Sequence, residues 1–164
     1  MNRKLLGIYL NDHLAGSTTG IELVRRTCNA NQGTELGRYL AELTMEIESD
    51  RRTLQRIMDD LGIRRDPAKV AGAWLLEKAG RLKLNGHLTG YSPQSRVVEI
   101  EGLVVGVTGK RCLWAALHHI APQEVRLDID QLDLLIGRAD SQLERLEELR
   151  LKAISEAVAA AQRT

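Results

Sequence analysis

At 164 residues the chain has the length of one domain, enough to bury roughly two thirds of its unfolded surface without staples. A net charge of +1, with 43% hydrophobic and 27% charged residues, excludes a general polyelectrolyte for nucleic acid or membrane surfaces. With no Phe and 3% aromatics, the core has to be built from Leu, Ile, Val and Ala, which suits packed helices.

The N-terminus opens like a signal peptide, with Asn2-Arg3-Lys4 before an apolar run from Leu5 to Leu10. The run stops at Asn11-Asp12-His13, and no small-residue cleavage site follows. No window approaches the apolar length of a membrane span. Cys28 and Cys112 lie in helical runs without a CxxC spacing and read as reduced thiols. The expectation is a soluble, cytoplasmic protein with no membrane partner.

The first helix is predicted over residues 3–29. Its seam is Leu6, Leu10, His13, Ser17, Gly20 and Val24, flanked by Ile21 and Leu23. Gly16 and Gly20 cost about 1 kcal/mol each in a helix interior, which predicts close approach of another helix. After a short break at Asn29 to Gly33, the second helix spans 34–61 and ends on Gly62 as a cap. It carries the cleanest period in the chain, Leu36, Leu40, Leu43, Ile47, Leu54, Ile57 and Leu61. The residue due between Ile47 and Leu54 is Asp50.

A different kind of segment follows. Asp66-Pro67 starts a short helix over about 67–82, and a turn-rich stretch runs from Asn85 to Tyr91. A linker of this length can cross from one end of a bundle to the other. Ser92-Pro93 then opens a helix over 93–120, with Ile100, Leu103, Val107, Lys110, Trp114 and Leu117 in register. Gly102, Gly106 and Gly109 thin one of its faces. Pro122 opens the last helix, read as far as residue 161, with the seam Val125, Ile129, Leu132, Ile136, Ala139, Leu143, Leu146 and Leu149. Such a helix would be about 60 Å long, more than its neighbours cover.

Three helices thus place a polar residue where the apolar register demands a buried one: His13, Asp50 and Lys110. A buried ion needs a partner, because desolvation costs several kcal/mol. Asp50 paired with Lys110, and His13 nearby, would satisfy one another as a structural network. Two other placements stay open: a wet bundle rim, or a ligand or metal site, for which His13, Glu46 and Asp50 are the weak candidates. His118-His119 point about 100° apart and cannot chelate one ion from a regular helix. Glu42 and Glu46 share a solvated face. The Ser17-Thr18-Thr19 hydroxyls are expected to bond back to the preceding turn, and Trp74 and Trp114 to sit in the core.

Four helices, a long connection between the second and third, and polar residues at mid-helix resemble the ferritin-like superfamily. That resemblance implies an all-α, ferritin-like four-helix bundle with a short extra helix in the crossover. Active members carry a Glu on each of two helices and a Glu-x-x-His on each of the other two. None of the thirteen glutamates here has a His three residues on. The chain therefore resembles a bundle without the di-iron centre. No cofactor is expected, and no catalytic residue; iron or manganese at a non-standard site is the alternative.

Charge is segregated along the chain. Residues 63–96 hold seven basic against two acidic side chains, and residues 124–148 hold three basic against eight acidic. The two stretches can compensate within one chain or pair between subunits. Few aromatics are interleaved with the basic residues, which argues against nucleic acid. The functional expectation is a non-catalytic bundle acting through self-association, as a homo-oligomer, or through a protein partner. A metal-binding storage or oxidase-type protein is the alternative, and a small-molecule pocket opened by the glycines of the first and third helices is a further one.

Overall fold

A computed structural model describes residues 2–67 and 91–161. The expected short helix over 67–82, with Trp74 and most of the basic stretch, lies outside the described residues. Among the described residues four helices are present: α1 (Arg3–Ala30), α2 (Glu35–Asp60), α3 (Pro93–Ile120) and α4 (Ile129–Ala161). The architecture is an all-α four-helix bundle, and no described helix is long and apolar enough to cross a membrane.

Each helix start has a local cause. The Asn2 side chain accepts from the Lys4 and Leu5 amides, Thr34 accepts from Gly37, and Ser92 accepts from Ser95. At the end of α2, Gly62 adopts φ +62°, and Ile63 donates its amide back to the Met58 carbonyl. Only glycine takes that backbone conformation without strain.

The last helix starts later than expected. Pro122 falls in a short 3-10 turn, Ala121–Gln123, and α4 begins at Ile129, where Asp128 accepts from the Gln131 amide as an N-cap. Val125 belongs to no seam, since it lies in the connection and is 97% exposed. Two cap signals compete within seven residues, and the aspartate sets the α-helical start. At 33 residues α4 is about 50 Å long, and its last turns pair with α3 through Arg96 and Glu156.

Helix directions follow from the contacts. Arg3 donates to the Leu61 carbonyl at one end of α1, and Cys28 reaches the Gly37 carbonyl at the other, so α2 is antiparallel to α1. Arg26–Glu99 likewise makes α3 antiparallel to α1, since Tyr9 and Leu117 line one groove at the far end. Helix α4 runs against α3 (Arg96–Glu156, His118–Asp133) and against α2 (Glu35–Arg145, Asp50–Arg138). Consequently α2 and α3 point the same way across the diagonal. The described ends of their connection lie far apart: Asp66 bonds Asn11 and Tyr91 bonds Asn31. Twenty helical residues separate those anchors, about 30 Å.

The core falls into two apolar clusters. One gathers Leu14, Leu54, Met58, Trp114, Leu117 and Leu132; the other gathers Val24, Leu40, Leu43, Ile100, Leu103 and Leu146. The seam predicted for α2 is buried throughout, Asp50 included. That predicted for α1 is rotated. Leu10, Asn11, Leu14, Ala15, Ile21 and Val24 face inward, while His13, Ser17 and Gly20 are only partly covered.

The glycines also have a different cause from the expected one. A Cβ at Gly16, Gly20, Gly106 or Gly109 would meet nothing within 4 Å, so no helix approaches closely there. Of the glycines on α1 and α3, only Gly102 is crowded, by Leu23 at 3.0 Å. Gly16→Ala and Gly106→Ala should each raise stability by about 0.5–1 kcal/mol in urea unfolding, because alanine relieves glycine's entropy cost without a clash. Destabilisation by either would contradict the open space. Gly37→Ala should destabilise, since a Cβ there would overlap the Asn31 carbonyl.

Candidate functional site

The two apolar clusters are divided by a layer of polar side chains from α2, α3 and α4. Asp50 is 2% exposed, and each of its carboxylate oxygens has a cation. Lys110 Nζ donates to Oδ2 at 2.5 Å, and Arg138 Nη1 donates to Oδ1 at 2.8 Å. Lys110 also donates to the Gln142 amide oxygen at 2.5 Å. The Gln142 amide nitrogen in turn donates to Glu46 at 2.6 Å. The chain Glu46–Gln142–Lys110–Asp50–Arg138 carries two negative and two positive charges, so the buried layer is neutral.

Each protonation state has a physical cause. Burial lowers the Lys110 ammonium below the usual lysine range, and the Asp50 carboxylate opposes that by favouring the charged form. Tyr39, on the edge of the layer, is pushed up to about 12 by burial and by the charge of Glu46. It therefore keeps its proton and donates to the Gln142 backbone carbonyl at 3.2 Å.

Of the residues singled out in the sequence, Asp50 and Lys110 pair directly. His13 does not join them by a hydrogen bond; it packs edge-on against Tyr9, with ring centroids 4.6 Å apart. All three nevertheless line one cleft of about 250 Å³. Its walls are α1, through His13, Gly16, Ser17 and Gly20, and α3, through Val105, Gly106 and Gly109. Ile47 and Leu54 of α2 and Leu103, Val107 and Trp114 of α3 complete an apolar lining. The glycines open this cleft by leaving side chains out.

Among the described residues, Trp114 and Arg51 in the lining have no hydrogen-bond or ion-pair partner. Trp114 is 1% exposed, and its indole N–H is buried with no acceptor. An unpaired buried donor costs about 1–3 kcal/mol. Arg51 is half-buried, and burial is the cause that lowers its guanidinium below the usual range, with no carboxylate acting on it. The Ser17 hydroxyl, by contrast, donates to the Leu14 carbonyl at 2.7 Å, the backbone bond expected of it.

His13, Glu46 and Asp50 do not assemble into a ligand set. Among the described residues no group of three His, Cys, Asp or Glu side chains is placed to hold a metal ion. Asp50 is saturated by two cations and Glu46 accepts from an amide. His118 pairs with Asp133 at 3.1 Å, and both cysteines are free.

Arg138, Gln142 and Arg51 escaped the sequence reading. The inward row of α4 is Leu132, Leu135, Ala139, Gln142, Leu146, Leu149 and Ala153. Gln142 breaks this row as Asp50 breaks that of α2, and shifting the assumed seam by one residue hid it. Arg138 reaches the layer from beside Ala139 through its long side chain. Comparison with protein-family models, with curated proteins and with solved structures finds no match.

Asp50→Ala should cost about 3–5 kcal/mol in urea unfolding, because it strands buried Lys110 without its carboxylate. Adding Lys110→Met should recover part of that loss; a single-variant loss below about 1 kcal/mol would contradict the layer's role. For His13, burial lowers the imidazole below 6.5, with Asp12 opposing. The folded state then binds fewer protons than the unfolded one, so stability should fall as pH drops through about 6.5. His13→Gln should flatten that slope in unfolding measured between about pH 7.5 and 5.5; an unchanged slope would contradict it.

Proposed function

We propose that this chain is a non-catalytic, ferritin-like bundle that holds a small, mainly apolar molecule in the cleft between α1 and α3. The observation that carries this reading is the buried Trp114 indole N–H, a donor in the cleft wall with no acceptor among the described residues. Four glycines facing open space add to it, since alanine would be the more stable choice at each unless room is needed. The cleft lies near the small end of ligand sites and has their usual character, apolar walls with a few polar groups.

Support for a non-catalytic role comes from commitments already made by the reactive groups. Ser17 is bonded to backbone and Asp50 to two cations, so neither is available to His13 as a nucleophile or a relay. Support for the ferritin-like relationship comes from the parallel α2 and α3 across the diagonal, which a long crossover would join. Self-association or a protein partner has less behind it. Helix α4 is shorter than the sequence suggested, and exposed Leu5, Ile8, Val98 and Val105 are the remaining argument for such a surface.

The test uses 1-hexanol and phenol as probes in ligand-observed NMR, with Gly106→Leu to fill the cleft. The wild-type chain should bind both probes, and the filled variant should lose binding while keeping a cooperative unfolding transition. Absent binding, or binding indifferent to Gly106→Leu, would overturn the reading.

A further inference from the structure

We infer that the cleft is built for a small monoanion, a carboxylate on an apolar body, with Arg51 as its charge partner. The inference rests on the binding role proposed above and adds the charge of the ligand. Arg51 follows Asp50 on α2 and lines the same cleft. It is half-buried, yet no carboxylate among the described residues neutralises it. Its neighbours are committed elsewhere. Asp50 is held by Lys110 and Arg138, while Arg25 and Arg52 share Glu48.

A partly desolvated guanidinium is costly without an anion, and the planar fork of Arg matches a carboxylate in two parallel hydrogen bonds. Trp114 offers a neutral donor to a second acceptor on the ligand. The same lining sets the charge limit. The Asp50 charge in the lining is already balanced by Lys110 and Arg138, so Arg51 offers one positive charge and a phosphate dianion would bring one negative charge too many. A single negative charge is the match.

Size follows from volume. About 250 Å³, at about 30 Å³ per water-sized group, leaves room for about eight heavy atoms. Hexanoate fits, and hexanamide is its neutral counterpart of equal size.

The experiment measures hexanoate, hexanamide and inorganic phosphate on the full chain by calorimetry and ligand-observed NMR. Hexanoate should bind at least about tenfold tighter than hexanamide, the worth of a charge-assisted pair. Arg51→Gln should erase the difference, and Arg51→Lys should keep most of it. Because Arg51 has no partner to lose among the described residues, both variants should unfold at the wild-type midpoint. Equal binding of hexanoate and hexanamide, a preference that survives Arg51→Gln, or phosphate binding tighter than hexanoate would each overturn the ligand class. The first of these would leave the cleft as a binding site; failure of every probe would remove that as well.

Discussion

Asp50 is the constraint around which the bundle is arranged. A carboxylate in the middle of a helical core is tolerable only if its charge is paired and its oxygens are hydrogen-bonded, and here cations do both. Lys110 arrives from α3 and Arg138 from α4. That requirement fixes how the three helices are turned and slid past one another, because the register that pairs Asp50 also places Gln142 between Lys110 and Glu46. Apolar packing alone would permit several registers of similar burial. The neutral five-residue chain favours the one that pairs Asp50.

The polar layer also divides the core, and the cleft lies at that division. On the α1 side no charged residue completes the layer. His13 leans on Tyr9, and Gly16 and Gly20 present bare backbone opposite Gly106 and Gly109. Two apolar clusters close the bundle above and below this level. Space, a buried indole donor and an unpaired guanidinium therefore occur together at one level of the fold. The stabilising network and the cleft share Asp50 and Lys110 as lining, so the proposed binding role would draw on the same two side chains as stability.

Much of this was legible in the sequence, for reasons that can be stated residue by residue. The α2 seam was clear because seven apolar residues recur in four–three steps, and its exception, Asp50, marked the polar layer. Lys110 was visible in the same way on α3. The α1 seam was misread because Leu14, Ala15 and Ile21 compete with Ser17 and Gly20 for the inward face, and small residues weaken the periodic signal. Gln142 and Arg138 stayed hidden behind a one-residue error of phase on α4. The glycines were noticed, but their number says nothing about whether a helix or an empty cleft lies opposite. Arg51 carries no sequence signal at all. Its interest depends on an absence of partners that only three dimensions reveal.

The most direct test of the binding role is a ¹H–¹⁵N NMR titration of the full chain with hexanoate, the Trp114 indole resonance being identified by its loss in Trp114→Phe. The proposed site predicts that this resonance moves together with the backbone amides of Gly16, Gly20, Gly106 and Gly109, along one saturating curve. A Trp114 indole and cleft glycines that stay fixed at saturating hexanoate would contradict it.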